Sequence, residues 1–223
     1  MTDQRADVDW RDSGVPVSRQ FDDPYYSLED GVAETRHVFL AGNSLPDRFR
    51  DGFHVAELGF GTGLNFLVAL AAWRASNTGG KLHFTSFEAF PLPMADMIRA
   101  LNAFDGLDMD FIVDDADQTH LSPRIHGPDF ELHVIYGDAR DTLPDWNGVA
   151  DAWFLDGFSP AKNPELWGDE LMAAVGQHAA AGGTFATYTA AGFVRRALDG
   201  AGFAVERVPG FGRKRHMSRG VLR

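Results

Sequence analysis

The chain has 223 residues, 44% of them hydrophobic, with no cysteine and a net charge of −12. That length suits one α/β domain with an extension, and the missing cysteines exclude disulfides and thiolate metal sites. No apolar run approaches the ~20 residues of a membrane span, and residues 1–17 are too polar for a signal peptide, so a soluble, cytoplasmic protein is expected.

The charge is uneven. Residues 195–223 carry eight Lys/Arg against Asp199 and Glu206, a local +6 that leaves −18 on the remainder. A basic patch binds phosphates even on an acidic protein. On charge alone, a solvated face that offsets acidic neighbours explains it equally well.

In chain order, residues 1–14 are polar, and Phe21-Asp-Asp-Pro-Tyr-Tyr-Ser27 follows. Val38, Phe39 and Leu40 between turn residues suggest a short strand or hairpin ahead of the main fold. Residues 1–50 are expected to form an N-terminal extension that packs on a core domain of residues 51–223.

Residues 54–58 read as a buried strand and 64–73 as a helix. Between them Gly59-Phe-Gly-Thr-Gly63 alternates three glycines. Gly59, Gly61 and Gly63 allow positive φ and close approach of a ligand to the backbone. The N–H groups that open the helix would point at that ligand. The spacing is not the G-x-G-x-x-G of dinucleotide folds. Glu57, two residues before Gly59, would repel a pyrophosphate but suits a cation. S-adenosylmethionine (SAM) carries an ammonium and a sulfonium and no phosphate. The motif therefore favours a class I SAM-dependent methyltransferase over a nicotinamide oxidoreductase, with Phe60 packing near the methionine end.

Residues 82–88 alternate and are β-rich, so they form the second strand. Glu88 ends it, where an acidic side chain accepts hydrogen bonds from ribose hydroxyls. A helix is expected over residues 93–104. Residues 105–129 are acidic and weakly periodic and read as an insertion or extended loop. Residues 130–136 make the third strand, ending in Gly137-Asp138-Ala139, with Asp138 placed to meet an adenine amino group. Residues 150–155 make the fourth and lead into Asp156-Gly-Phe-Ser-Pro160. Ligands of open α/β sheets bind at strand carboxyl ends, so Asp156 is placed for chemistry. A helix over 165–181, a strand over 183–189, a helix over 190–201 and a closing antiparallel pair, 204–208 with 217–222, complete the fold. The eight histidines show no ligand spacing, so no metal is expected.

Several segments together resemble one family, the methyltransferase domain of MnmC and its stand-alone form MnmD. They are Asp23-Pro-Tyr-Tyr-Ser27, residues 39–43, Glu57-Leu-Gly-Phe-Gly-Thr-Gly-Leu-Asn-Phe66, Ser86-Phe-Glu88 with Pro91-Leu92, Gly137-Asp138, Trp153-Phe-Leu-Asp-Gly-Phe-Ser-Pro-Ala-Lys-Asn-Pro164, Thr184-Phe-Ala-Thr-Tyr-Thr-Ala-Ala-Gly-Phe-Val-Arg-Arg196 and Gly210-Phe-Gly-Arg-Lys-Arg215. The resemblance implies a seven-stranded, mostly parallel class I methyltransferase sheet. It also implies SAM-dependent N-methylation of 5-aminomethyl-(2-thio)uridine at the tRNA wobble position. Asp156 would orient the amine. Tyr25, Tyr26, Phe158 and the loop at Lys162 would frame the flipped uridine, which is single-stranded in an anticodon loop and stacks on aromatics. Arg195, Arg196, Arg213, Lys214 and Arg215 are candidates for phosphates. The bifunctional members add a flavin-dependent oxidase domain; either this is the stand-alone form, with a separate oxidase acting upstream, or the chain is a fragment of the bifunctional enzyme. Two departures stand out: residues 105–125 are acidic where the family is aromatic, and Tyr188 stands where Phe is usual. The alternatives are an N-methyltransferase of a small free amine and a catalytically silent SAM- or RNA-binding module.

Overall fold

Strands buried on both faces read as nearly unbroken apolar runs, and the two most central ones here do so: β4 (His54–Leu58) and β8 (Ala150–Leu155). The computed structural model describes residues 5–27, 30–110, 112 and 119–223. On one side of β4 lie β5 (Leu82–Glu88), β7 (Phe130–Tyr136) and the short β6 (Arg124–His126). On the other lie β8, β9 (Ala179–Thr187), β11 (His216–Leu222) and β10 (Phe203–Pro209). The order β10-β11-β9-β8-β4-β5-β7-β6 is parallel across the five inner strands and antiparallel at both edges. The chain runs outward from β4 to β7 and then returns to β8 on β4's other side. The sheet is therefore split between β4 and β8 at their carboxyl ends, where open α/β sheets hold ligands.

Two apolar clusters cover the two faces. One joins α2 (Leu64–Ser76) and α3 (Met94–Leu101) to Phe84, Phe130 and Phe154. The other joins α5 (Asp169–Gln177) and α6 (Gly192–Gly200) to Trp153, Phe185 and Phe203; a four-residue helix, α4 (Ala139–Thr142), precedes them in the chain. Helix α2 is buried on nearly every side. The reason is a further layer: α1 (Gly31–Thr35) crosses it so closely that a Cβ on Gly31 would lie 2.9 Å from Leu64. Among the described residues no helix is long and apolar enough to cross a membrane.

The structure corrects four expectations. Residues 38–40 are helical: Asp30 accepts a hydrogen bond from the Ala33 N–H (2.8 Å) and starts α1, which runs on as a π turn (Arg36–Leu40) and a 3-10 turn (Ala41–Asn43). The capping residue decides the local geometry, and the apolar triplet marks burial, with Phe39 stacked on Phe154 at 5.3 Å. The hairpin lies earlier, as β1 (Val8–Trp10) and β2 (Pro16–Ser18) with β3 (Asp23–Pro24) added. The helix expected over 165–181 is a 3-10 turn (Pro164–Trp167) followed by α5, and residues from Ala179 pair with β8 from the register Ala150↔Ala179 onward. Sheet pairing there overrides the helix preference of an alanine run. Finally, β6 adds an eighth strand from within residues 105–129; residues 111 and 113–118 of that segment lie outside the described residues.

Candidate active site

The turn from β4 into α2 holds three left-handed glycines, Gly59 (φ +84°), Gly61 (+53°) and Gly63 (+80°), the last being the N-cap of α2. Gly59 donates to the Phe87 carbonyl of β5 (2.9 Å), and a Cβ there would stand 3.3 Å from the Gly157 Cα. The turn after β4 is thus pressed against the turn after β8. Gly59→Ala is expected to destabilise the fold by about 1–2 kcal/mol from the left-handed backbone alone, with weaker cofactor binding because the two turns must part. Thermal melting with and without SAM measures both, and an unchanged melting temperature would show the turns are not in register.

Behind the turn is a buried polar network. Glu57 on β4 is fully buried, accepting from Ser86 Oγ (2.7 Å) and Asn65 Nδ2 (2.9 Å). The same Asn65 amide donates to Asp156 Oδ2 (2.8 Å) and accepts from Thr35 Oγ1 (2.7 Å). One amide therefore joins α1, β4, α2 and the end of β8. Burial pushes the Glu57 carboxyl well above its usual range, against the pull of its bonds to Ser86 and Asn65. Asp156 Oδ1 accepts from Gly157 N–H (2.8 Å), and burial raises its carboxyl to about 6.

Glu88, at the end of β5, accepts from the Gly61 (2.8 Å) and Phe90 (2.7 Å) N–H groups. Burial raises its pKa while these backbone donors oppose the shift. Asp138 caps α4 through the Arg140 N–H and pairs with the Arg140 guanidinium (2.6 Å), whose hydrogen bonds hold its carboxyl below the usual range.

The N-terminal segment closes the top. Tyr25 meets Phe158 edge-on (5.2 Å) and Phe158 stacks on Phe21 (4.6 Å). Tyr26 donates to the Ala100 carbonyl (3.3 Å). Asp23 accepts from the Ser159 N–H (2.7 Å), and Lys162 pairs with Asp22 and Asp23. The loop after β8 and the Asp23-Pro-Tyr-Tyr segment are thereby clamped together.

These residues enclose a cavity of about 820 Å³ at the sheet's split, within the usual size range of ligand sites. Of the residues expected from the sequence, Tyr25, Tyr26, Gly59, Phe60, Gly61, Glu88, Asp138, Ala139, Asp156, Phe158, Arg213 and Lys214 line it. Glu57 stands one layer behind, Gly63 beneath Phe60, and Lys162 in the clamp. Arg195, Arg196 and Arg215 are outside the lining. Arg195 and Arg215, with Arg207, form a basic flank; desolvation first, and then the charges of Arg207, Arg215 and Arg195, lower the pKa of His216. Among the lining residues that the sequence reading did not assign to the site are Glu34, Thr35, Asn65 and Tyr188. Asn65 sits one residue into α2 after the glycine motif, which was a usable signal. Tyr188 lies in a segment that carries the family resemblance, whereas Glu34 and Thr35 carry no such signal.

A family model described as S-adenosyl-L-methionine-dependent methyltransferase matches residues 109–223. The chain belongs to this family. The methyltransferase is 44% identical to a protein of Vibrio cholerae named tRNA 5-methylaminomethyl-2-thiouridine biosynthesis bifunctional protein MnmC, over 97% of this chain and 35% of that one. It is 48% identical to the Caulobacter vibrioides protein of the same name, over 92% of this chain and 36% of that one. The chain thus spans about a third of the length of these relatives. Among solved structures, MnmC2 from Aquifex aeolicus superposes with a TM-score of 0.78 at 26% identity, covering all of this chain and 72% of that one. Spermidine synthase from Thermotoga maritima, with a TM-score of 0.55 at 11% identity, shares the fold.

The cavity suits the family's cofactor. Three of its acidic groups, Glu88, Asp138 and Asp156, stand around glycines whose missing Cβ atoms leave the backbone open. That set of acceptors fits a cationic, ribose-bearing ligand rather than a pyrophosphate.

Proposed function

We propose that this methyltransferase acts on a primary amine, that of 5-aminomethyl-(2-thio)uridine at a tRNA wobble position, and leaves 5-methylaminomethyl-(2-thio)uridine. Support for the substrate comes from the relatives' name together with the carboxylate of Asp156 at the cavity wall, held on both oxygens by Gly157 and Asn65. On this reading residues 51–223 are the methyltransferase domain, 1–50 an extension that completes its site, and about 105–129 an insertion. The substrate places the activity in the cytoplasm.

The chain's residues divide the work as follows. Glu88 receives the ribose hydroxyls and Asp138 the adenine amine, while Gly59, Gly61 and Gly63 with Phe60 and Ala139 shape the floor. Glu57 fixes Asn65, and so Asp156, from behind. SAM, when bound, supplies a methyl group already activated as a sulfonium. Methyl transfer then needs chiefly in-line alignment. Asp156 accepts a hydrogen bond from the amine, turns its lone pair toward the methyl, and offsets the positive charge that develops on nitrogen. Tyr25, Tyr26 and Phe158 offer aromatic faces to the uridine, with Lys162 holding their loop. Arg195, Arg196, Arg213 and Arg215 face the tRNA phosphates. A flavin-dependent oxidase acting upstream would supply the aminomethyl group.

Methyl transfer from labelled SAM to tRNA from cells that accumulate the 5-aminomethyl intermediate tests this reading. Fully modified tRNA and a free polyamine run in parallel. Label confined to the deficient tRNA is expected. Label in the polyamine would instead favour a small-amine enzyme, the reading that the acidic cavity also suits.

A further inference from the structure

Lys214 lies in the loop between β10 and β11, and its side chain enters the cavity. Its Nζ is 2.8 Å from Glu34 Oε1 and 4.1 Å from the centroid of the Tyr188 ring. Neither partner is an ordinary surface group. The Glu34 side chain is only 12% exposed, against 45% for Lys214. Tyr188 is fixed by its hydroxyl, which donates to the Gly157 carbonyl (2.8 Å), one residue beyond Asp156. The charges of Glu34 and Lys214 are both felt at Asp156, the first raising and the second lowering its pKa. A primary ammonium on an alkyl stem thus occupies a cradle of one carboxylate and one aromatic face, beside the carboxylate assigned to the reaction.

That ammonium is the same chemical group as the amine of the proposed substrate. We propose that Glu34 and the Tyr188 ring form the amine subsite next to Asp156, and that Lys214 holds this subsite as an internal stand-in until substrate displaces it. The inference rests on the primary-amine reading above. It accounts for three things at once. A largely enclosed carboxylate facing a cavity favours a cation beside it in the free protein. A flexible, half-exposed lysine on a loop supplies one that can leave. An aromatic face adds cation–π attraction for whichever ammonium is present.

The chemistry balances. The substrate ammonium enters between Glu34 and Tyr188 and gives one proton to solvent. Its nitrogen lone pair forms the N–C bond as the C–S bond breaks with its electron pair to sulfur. The positive charge passes from sulfur to nitrogen, where Glu34 and Asp156 already face it. Selectivity for an amine over a hydroxyl at the same uridine position follows, since a neutral group leaves Glu34 without its cation.

The test is steady-state methyl transfer to 5-aminomethyl tRNA at several salt concentrations, with wild type, Lys214→Met and Glu34→Gln. Lys214→Met keeps the stem and removes the competitor, so KM for tRNA is expected to fall roughly 3- to 10-fold, as the competent fraction rises, with the salt slope unchanged. Glu34→Gln is expected to raise KM by a similar factor with SAM affinity unaltered. A rise in KM for Lys214→Met with a slope flattened by about 1 would make Lys214 a phosphate contact and overturn the inference. So would an unchanged KM in either variant. Wild-type protein that binds SAM but labels no tRNA would bring down the substrate reading, and this inference with it. An active wild type with the wrong variant response sinks the inference alone.

Discussion

Asp156→Asn is expected to lower kcat for methyl transfer by about 10²- to 10³-fold while SAM affinity stays within a few-fold of wild type. On the proposed assignment the carboxylate is not the cofactor's main holder, since Glu88 and Asp138 would take the ribose and adenine ends. Its first oxygen keeps the Gly157 N–H bond in the variant. Its second becomes an NH2 that meets the Asn65 NH2, donor against donor, so the group turns away from the amine. The pH dependence sharpens the test. With its carboxyl raised to about 6, Asp156 is mostly ionised, with both oxygens acting as charged acceptors, only above that pH. Wild-type kcat should therefore fall as pH drops through about 6, and the variant should lose that limb. Stability moves the other way. A carboxyl whose folded pKa lies above the unfolded 3.8 takes up a proton on folding, so its stabilising contribution is complete below 3.8 and lost as pH rises through about 6. The variant should flatten the stability profile across that window. Unchanged turnover at pH 8 with intact cofactor binding would remove Asp156 from the chemistry.

What the sequence disclosed, and what it did not, follows from the range of the forces involved. The glycine turn, the strand ends at Glu88, Gly137 and Asp156, and the final antiparallel pair are local patterns of period and turn chemistry. Residues 54–58, 82–88, 130–136 and 150–155 accordingly appear as strands with those bounds. The triplet at 38–40 misleads because Val, Phe and Leu suit a strand, whereas Asp30 caps a helix eight residues earlier and the triplet then packs on β8 and β9. The site divides the same way. Glu57, Glu88, Asp138 and Asp156 sit next to turns in the sequence and converge because parallel strands end together. Glu34 and Thr35 reach the cavity from a layer laid over α2 by long-range packing, which no spacing encodes. Lys214 shows the limit most clearly: composition places it in a basic tail, while the fold sets it against Glu34.

Asn65→Asp should have the largest effect on the fold itself. The substitution keeps the shape and the oxygen that accepts from Thr35, and replaces the amide that donates to both Glu57 and Asp156. Two hydrogen bonds are lost and a third carboxylate is placed within bonding distance of two others. Three buried carboxylates cannot all ionise, so each raises the folded pKa of the rest. The folded state then holds protons that the unfolded chain releases, and stability present at low pH is lost as pH rises through those folded values. At pH 8 the cost is expected to be about 3–5 kcal/mol, the range for a buried charge left without its partner, or on the order of 10 °C in melting temperature for a chain of this size. Near pH 5 the gap to wild type should narrow, because a proton shared among the three acids restores the missing donor. Cofactor binding at pH 8 should weaken in step, since Asn65 ties the first turn of α2 to Glu57 directly beneath the glycine turn. A melting curve indistinguishable from wild type at both pH values would show that the amide bridges nothing of consequence. A loss equal at pH 5 and pH 8 would show that it acts by shape rather than by charge.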